Sequence, residues 1–250
     1  MRAALAVLVL AAGCGRIDFD AETHAVDGST DAVAAGDGAS SSCTPSTGDW
    51  VLEQVQGNSD HNGQGTLTVM VNATGGGDFI VVAVQGQAPG VATNVFDGAG
   101  SIYTRLAGTA GTDAVDTVEI WYASSAGGGA NDVSVTSSTL AYAIVMWEFS
   151  TPRAAVVDTV AQLSNQAATT TPVAPTITTH CPGEVVVAAA ISQANISGIA
   201  NGNAFTSDAN SNAEGWAHLA ASNAPAGMQT AAWTSASGSY CSAAAAFIVE

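Results

Sequence analysis

The most constraining feature of this chain is a set of short apolar runs, each of strand length, separated by Gly, Ser, Asn and Thr. Such runs occupy 66–71, 78–84, 118–123, 132–136, 142–149, 184–191 and 243–249. Several are rich in Val and Ile, whose branched side chains suit a pleated surface. No 11-residue window beyond the first fourteen residues carries a helical stripe. Two runs, 79–84 and 142–147, are apolar on both alternating faces, which predicts central strands with no face left for water. Glu119, between Val118 and Ile120, instead predicts a strand with one wet face. Regular strands with Gly-rich turns predict an all-β fold, a two-layer β-sandwich of jelly-roll type, over 48–250.

Charge excludes several functions. The chain carries 21 Asp and Glu against 4 basic residues, all arginine, so phosphate backbones find no clustered cations. Without lysine there is neither a Walker-type nucleotide loop nor a Schiff-base enzyme. Neither nucleic acid nor nucleotide is an expected partner, and no cofactor is called for.

The first residues read as an export signal: Arg2, an apolar run from Ala3 to Ala12, then small residues before Cys14. Ten apolar residues fall short of the roughly twenty that span a bilayer. Ala11-Ala12-Gly13-Cys14 resembles the lipobox of bacterial lipoproteins, with Ala11 where Leu is usual. The resemblance implies a signal peptide over 1–13, a lipidated Cys14 and attachment to a membrane through acyl chains. Gly15, rather than Asp, implies the outer membrane by the sorting rule of enteric bacteria. Residues 14–47 hold Asp18, Asp20, Glu22, Asp27, Asp31 and Asp37 among Ala, Gly and Ser, a composition expected of a solvated disordered linker and similar to the acidic tethers of delta-class proteobacterial lipoproteins. Asp27 to Asp31 lacks the ligand spacing of a calcium loop.

The sandwich sequence states its pattern twice. Gly77-Asp78 and the strand after it are echoed by Gly183-Glu184, Ala123 to Gly127 by Ala221 to Gly227, and Tyr142 to Phe149 by Ser242 to Val249. Two similar strand sets are therefore expected, about 66–150 and 174–250, joined by a Thr/Ala/Pro crossover. The succession through Ile120-Trp121-Tyr122-Ala123, Gly127-Gly128, Trp147-Glu148-Phe149 and Pro182-Gly183-Glu184 resembles β-sandwich modules of secreted bacterial surface proteins and some phage tail proteins. That resemblance implies a fold and no catalytic residue.

With Cys14 given to lipid, Cys43, Cys181 and Cys241 remain for an oxidising compartment. Cys181 and Cys241 each precede an apolar strand of the second half, and a bridge between them is expected to contribute roughly 4 kcal/mol; sequence leaves connectivity open. His61, His180 and His218 lack any paired metal spacing, so no metal site is expected, although the Asn/Asp-rich stretch 207–214 is a calcium candidate. No Gly-x-Ser-x-Gly turn occurs. Glu148, which interrupts an apolar strand, is the acid most notable by position and reads as a solvated or hydrogen-bonded rim residue rather than a catalytic one. Trp216, after a polar run and beside Gly215, is the first candidate for ligand contact, followed by Trp121 and Trp233. The expected function is a non-catalytic envelope lipoprotein displaying its sandwich for surface structure or adhesion, with carbohydrate binding and hydrolysis as the alternatives.

Overall fold

The β-branched runs pair with one another, and they do so in the same way twice. The computed structural model describes residues 50–90, 92–106, 111–112, 115–208, 213–220 and 224–249, in which every regular element is a strand. The first sheet comprises β1 (Val51–Met70), β2 (Phe79–Gln87), β3 (Ala92–Asp97), β4 (Thr104–Arg105), β5 (Gly111–Thr112), β6 (Asp116–Ala123) and β7 (Asp132–Ser150). Its order is β1-β7-β2-β6-β4, with β3 beside β7 and β5 beside β6. The second comprises β8 (Ala155–Thr169), β10 (Val185–Ser192), β12 (Thr206–Ser207), β13 (Glu214–Leu219) and β16 (Gly238–Val249), in the order β8-β16-β10-β13-β12. Two small pairs, β9 (Ile177–Thr179) with β14 (Gly227–Gln229) and β11 (Ile196–Ile199) with β15 (Trp233–Ser235), complete the set. Each sheet is thus drawn from one contiguous half of the sandwich sequence.

The register repeats along with the order. Ile80 lies opposite Glu148 and Ala123, and Val186 lies opposite Ala246 and Leu219. Thr104 opposes Tyr122 as Thr206 opposes His218. Glu148 therefore matches Ala246, and Tyr142 matches Tyr240, two residues away from the pairing that the sequence echo gave (Ile248 and Ser242). The edge strands share an irregularity as well. β1 steps from Leu52 to Gln54 along β7, and β8 steps from Val157 to Thr159 along β16. Glu53 and Asp158 are the extra residues of one bulge made twice. The matched sets begin at β1 and β8, so the stretch expected as a Thr/Ala/Pro crossover contains an edge strand.

Alternation explains why β2 and β10 are buried on both faces. Phe79, Val81 and Ala83 meet Val185, Val187 and Ala189 between the two sheets. Phe79 and Phe247 close this layer edge to face, with ring centroids 4.9 Å apart, an arrangement contributing about 1 kcal/mol beyond area burial. Ile80, Val82 and Val84 point the other way, into a second core closed by Leu67, Val69, Val95, Val133 and Val135. That core exists because the β1–β7 ribbon turns a corner. β1 slips register between Ser59 and Gln64, where Gly63 takes φ +67 and a Cβ would lie 2.7 Å from Leu140 Cβ. Val186, Ala188 and Ala190 line a third core under Ile177, Ile196 and Trp233. The sheets stack with their orders reversed. β5 lies against β8, and Trp216 of β13 lies over Gly57 of β1, where a Cβ would sit 2.4 Å from the indole. An approximate twofold axis along the strands relates the halves.

Candidate functional site

An acid precedes the central strand in both halves, and each has a carboxyl partner. Asp78 stands before β2, so close over Gly75 that a Cβ there would be 2.2 Å from Asp78 Oδ2. It is in hydrogen-bond contact with Glu148. Glu148 is buried; its Oε1 accepts from the Gly75 N–H at 2.7 Å and its Oε2 from Gln54 Nε2 at 2.5 Å. Gln54 in turn accepts from the Asn72 N–H at 2.9 Å. With Glu53, these residues line a polar cleft of about 290 Å³. Burial, then the Glu148 carboxyl, push Asp78 up to about 6. In the second half, Glu184 is fully buried and its Oε1 accepts from the Cys181 N–H at 2.6 Å. Burial, together with contact from Asp158, raises it to about 7. Asp158 also holds His180 Nδ1 at 2.7 Å. In both pairs the neighbouring carboxyl adds to burial in disfavouring the charged form of Asp78 and of Glu184. The paired carboxyls are too close for glycoside hydrolysis, which places its carboxyls about 5 Å or more apart.

At the opposite end of the strands the repeat breaks. By register, Glu214 on β13 takes the place that Val118 holds on β6, opposite Ile191 where the first half has Gln85. Gln85 crosses the sandwich, donating to the Ala190 carbonyl at 2.7 Å and accepting from Trp216 Nε1 at 3.0 Å. Glu214 and Asp116 of the other sheet line a cleft of about 360 Å³ with Tyr142, Ile191, Ser192 and Gln193. Glu214 is 1 % exposed, and its Oε2 has no hydrogen-bond partner among the described residues. Burial raises it to about 7, with the Asp116 charge adding to the effect. Tyr142 is raised by burial and then by Asp116. Among the described residues no group of three or more His, Cys, Asp or Glu side chains has metal-holding geometry.

The expected ligand platform is not on the surface. Trp216, Trp121 and Trp233 are 1 %, 9 % and 0 % exposed and fill the first, second and third cores in turn. Large rings at inward positions of strands bury more apolar area than any other residue could there. Glu119 corrects the wet-face reading of β6: it is buried, accepting from Trp121 Nε1 at 3.0 Å and paired with Arg105 Nε at 3.2 Å. His218 lies buried on β13, where Asp208 accepts from its Nδ1 at 2.8 Å and from Trp147 Nε1 at 2.7 Å. Asp208, an acid of the calcium-candidate stretch, therefore faces inward; 209–212 lie outside the described residues.

The expected Cys181–Cys241 bridge is also corrected. Cys181 is disulfide-bonded, whereas Cys241 is a buried thiol whose Sγ lies 3.6 Å from the Asp116 carbonyl. β10 and β16 run antiparallel with Ile191 opposite Cys241, so Cys181, which precedes β10, and Cys241, within β16, lie at opposite ends of the sheet. At about 3.3 Å per residue they are far beyond the roughly 7 Å that a disulfide bridges. The Cys181 partner lies outside the described residues, as do Cys14, Cys43, the signal and the tether. Sequence reasoning passed over Asp116 and reached Glu214 only as the end of the calcium-candidate stretch; an acid where the other half has Val118 was the signal at Glu214, legible only in the correct register.

No family model, curated protein or solved structure matches the chain. The class that the coordinates define is an all-β sandwich of two sheets.

Proposed function

We propose that this chain is an exported, non-catalytic envelope protein, anchored through lipid on Cys14 to the outer membrane, whose sandwich serves surface structure or adhesion. One observation carries the reading: the buried carboxyls hold the frame together. Glu148 fixes the turn at Gly75, Glu184 the turn at Cys181, Asp208 joins Trp147 to His218, and Asp97 holds the Ala99 and Ser101 N–H groups and the Tyr103 hydroxyl. Groups committed in this way are not poised for turnover. The acidic linker supports the reading by giving a tether on which a domain is displayed.

The test is metabolic labelling with palmitate, followed by attachment assays on cells carrying the wild type or Cys14→Ser. Label in the wild type, its loss in the variant, and loss of surface attachment with it are expected. An unlabelled wild type would overturn the anchor. A hydrolase is the second reading, favoured by the Asp78–Glu148 pair in a concave cleft. It predicts turnover of a peptide that Asp78→Asn abolishes.

A further inference from the structure

We propose that the cleft between Asp116 and Glu214 binds a calcium ion that ties the two sheets together. Asp116 belongs to β6 of the first sheet and Glu214 to β13 of the second, so a ligand held by both joins the layers. The acid at 214 is not demanded by the fold, since the equivalent position of the first sheet is Val118, packed in the inter-sheet core. Its Oε2 is buried and without a hydrogen-bond partner among the described residues. Buried polar atoms are ordinarily satisfied, and a buried carboxylate needs a counter-charge. The described lining contains no Arg to supply one, and Arg105 is engaged by Glu119.

The donor set selects the ion. Two carboxylates stand beside the neutral oxygens of Tyr142, Ser192 and Gln193, with no imidazole in the lining and the nearby Cys241 thiol turned to the Asp116 carbonyl. Carboxylate, hydroxyl and amide oxygens, completed by water, can supply the six to eight oxygens that calcium takes in flexible geometry, whereas zinc and copper take nitrogen or sulfur, and magnesium demands a tighter, near-ideal octahedron. A cleft of about 360 Å³ leaves space for completing waters. Two carboxylates place the expected affinity in the weak range of extracellular modules, about 10⁻⁴ to 10⁻³ M.

The experiment uses the full chain, stripped with chelator, unfolded thermally with and without about 10 mM calcium chloride at about pH 8. A rise of about 3–11 °C is expected, with a smaller rise in magnesium. Glu214→Gln is expected to lose the rise, while Asp158→Asn, at the other end of the strands, keeps it. Terbium, a calcium mimic excited through aromatic side chains, supplies a second readout should Glu214→Gln fail to fold. Its luminescence is expected to fall in Asp116→Asn and in Tyr142→Phe. A wild type that shows neither the thermal rise nor terbium luminescence overturns the proposal, as does a rise retained in Glu214→Gln or terbium luminescence unchanged in Asp116→Asn.

Discussion

Replacing Glu184 with Gln is expected to turn a pH-dependent clasp into a pH-independent one. The wild-type carboxyl is fully buried against Asp158 and holds its proton up to about 7, against an ordinary 4.5. The gap of about 2.5 units, at 1.36 kcal/mol each, is worth about 3 kcal/mol. Because the folded state binds the proton more tightly than the unfolded chain, this contribution is complete below about 4.5. It is lost as pH rises through about 7. Gln resembles the protonated acid and keeps an oxygen to accept the Cys181 N–H, so the variant loses none of this contribution over that range. Wild type and variant should match at about pH 4, and the variant should be more stable by about 3 kcal/mol at about pH 8. For a domain of about 200 residues that is about 6–12 °C in Tm. Urea unfolding followed by tryptophan fluorescence, without reductant so that the Cys181 bridge persists, measures both. Parallel pH dependences for the two proteins, or a variant less stable at pH 8, would refute the assignment of a buried carboxyl pair.

Gly57→Ala should destabilise by about 1–3 kcal/mol in the same assay, because its methyl would enter the space of the Trp216 indole, itself fixed by Gln85. Trp147→Phe should cost about 1–3 kcal/mol in urea titration, by removing the indole donor that Asp208 uses in the buried network with His218. Cys241→Ser should leave the cross-linked Cys181 peptide intact in non-reduced mass mapping, and Cys241 should resist alkylation until the protein unfolds. Loss of the cross-link in that variant would contradict the bonding described above.

Sequence made two central strands plain because burial on both faces leaves an unmistakable signature in β2 and β7. The doubling was also visible, through Gly77-Asp78 and Gly183-Glu184. Its register was not, because 243–246 is a run of alanines, which offers nothing to distinguish one frame from the next, and the acids at 53 and 158 sit in bulges that no periodicity announces. β8 escaped notice because an edge strand bonded on one side tolerates Thr, Gln and Asn, the composition of a linker. Trp216 was misplaced by its neighbour. Gly215 looks like a turn, yet it is small because a Cβ there would lie 2.9 Å from Trp233 Nε1. The carboxyl pairs, like the Asp116–Glu214 cleft, join residues from distant strands, which only the three-dimensional register brings together.

Because each sheet comes from one unbroken stretch, the segment 151–154 between β7 and β8 is the backbone link between two pieces that each possess a full set of hydrogen-bonded strands. Severed there and with the Cys181 disulfide reduced, either piece would carry a bare slab of Phe, Val and Ala seeking a mate, and the near-symmetric stacking means that a copy of itself could serve. The link raises the effective concentration of the right mate far above any competitor's. What it secures is fidelity of assembly: one chain closes on itself, where two loose halves would be free to swap partners.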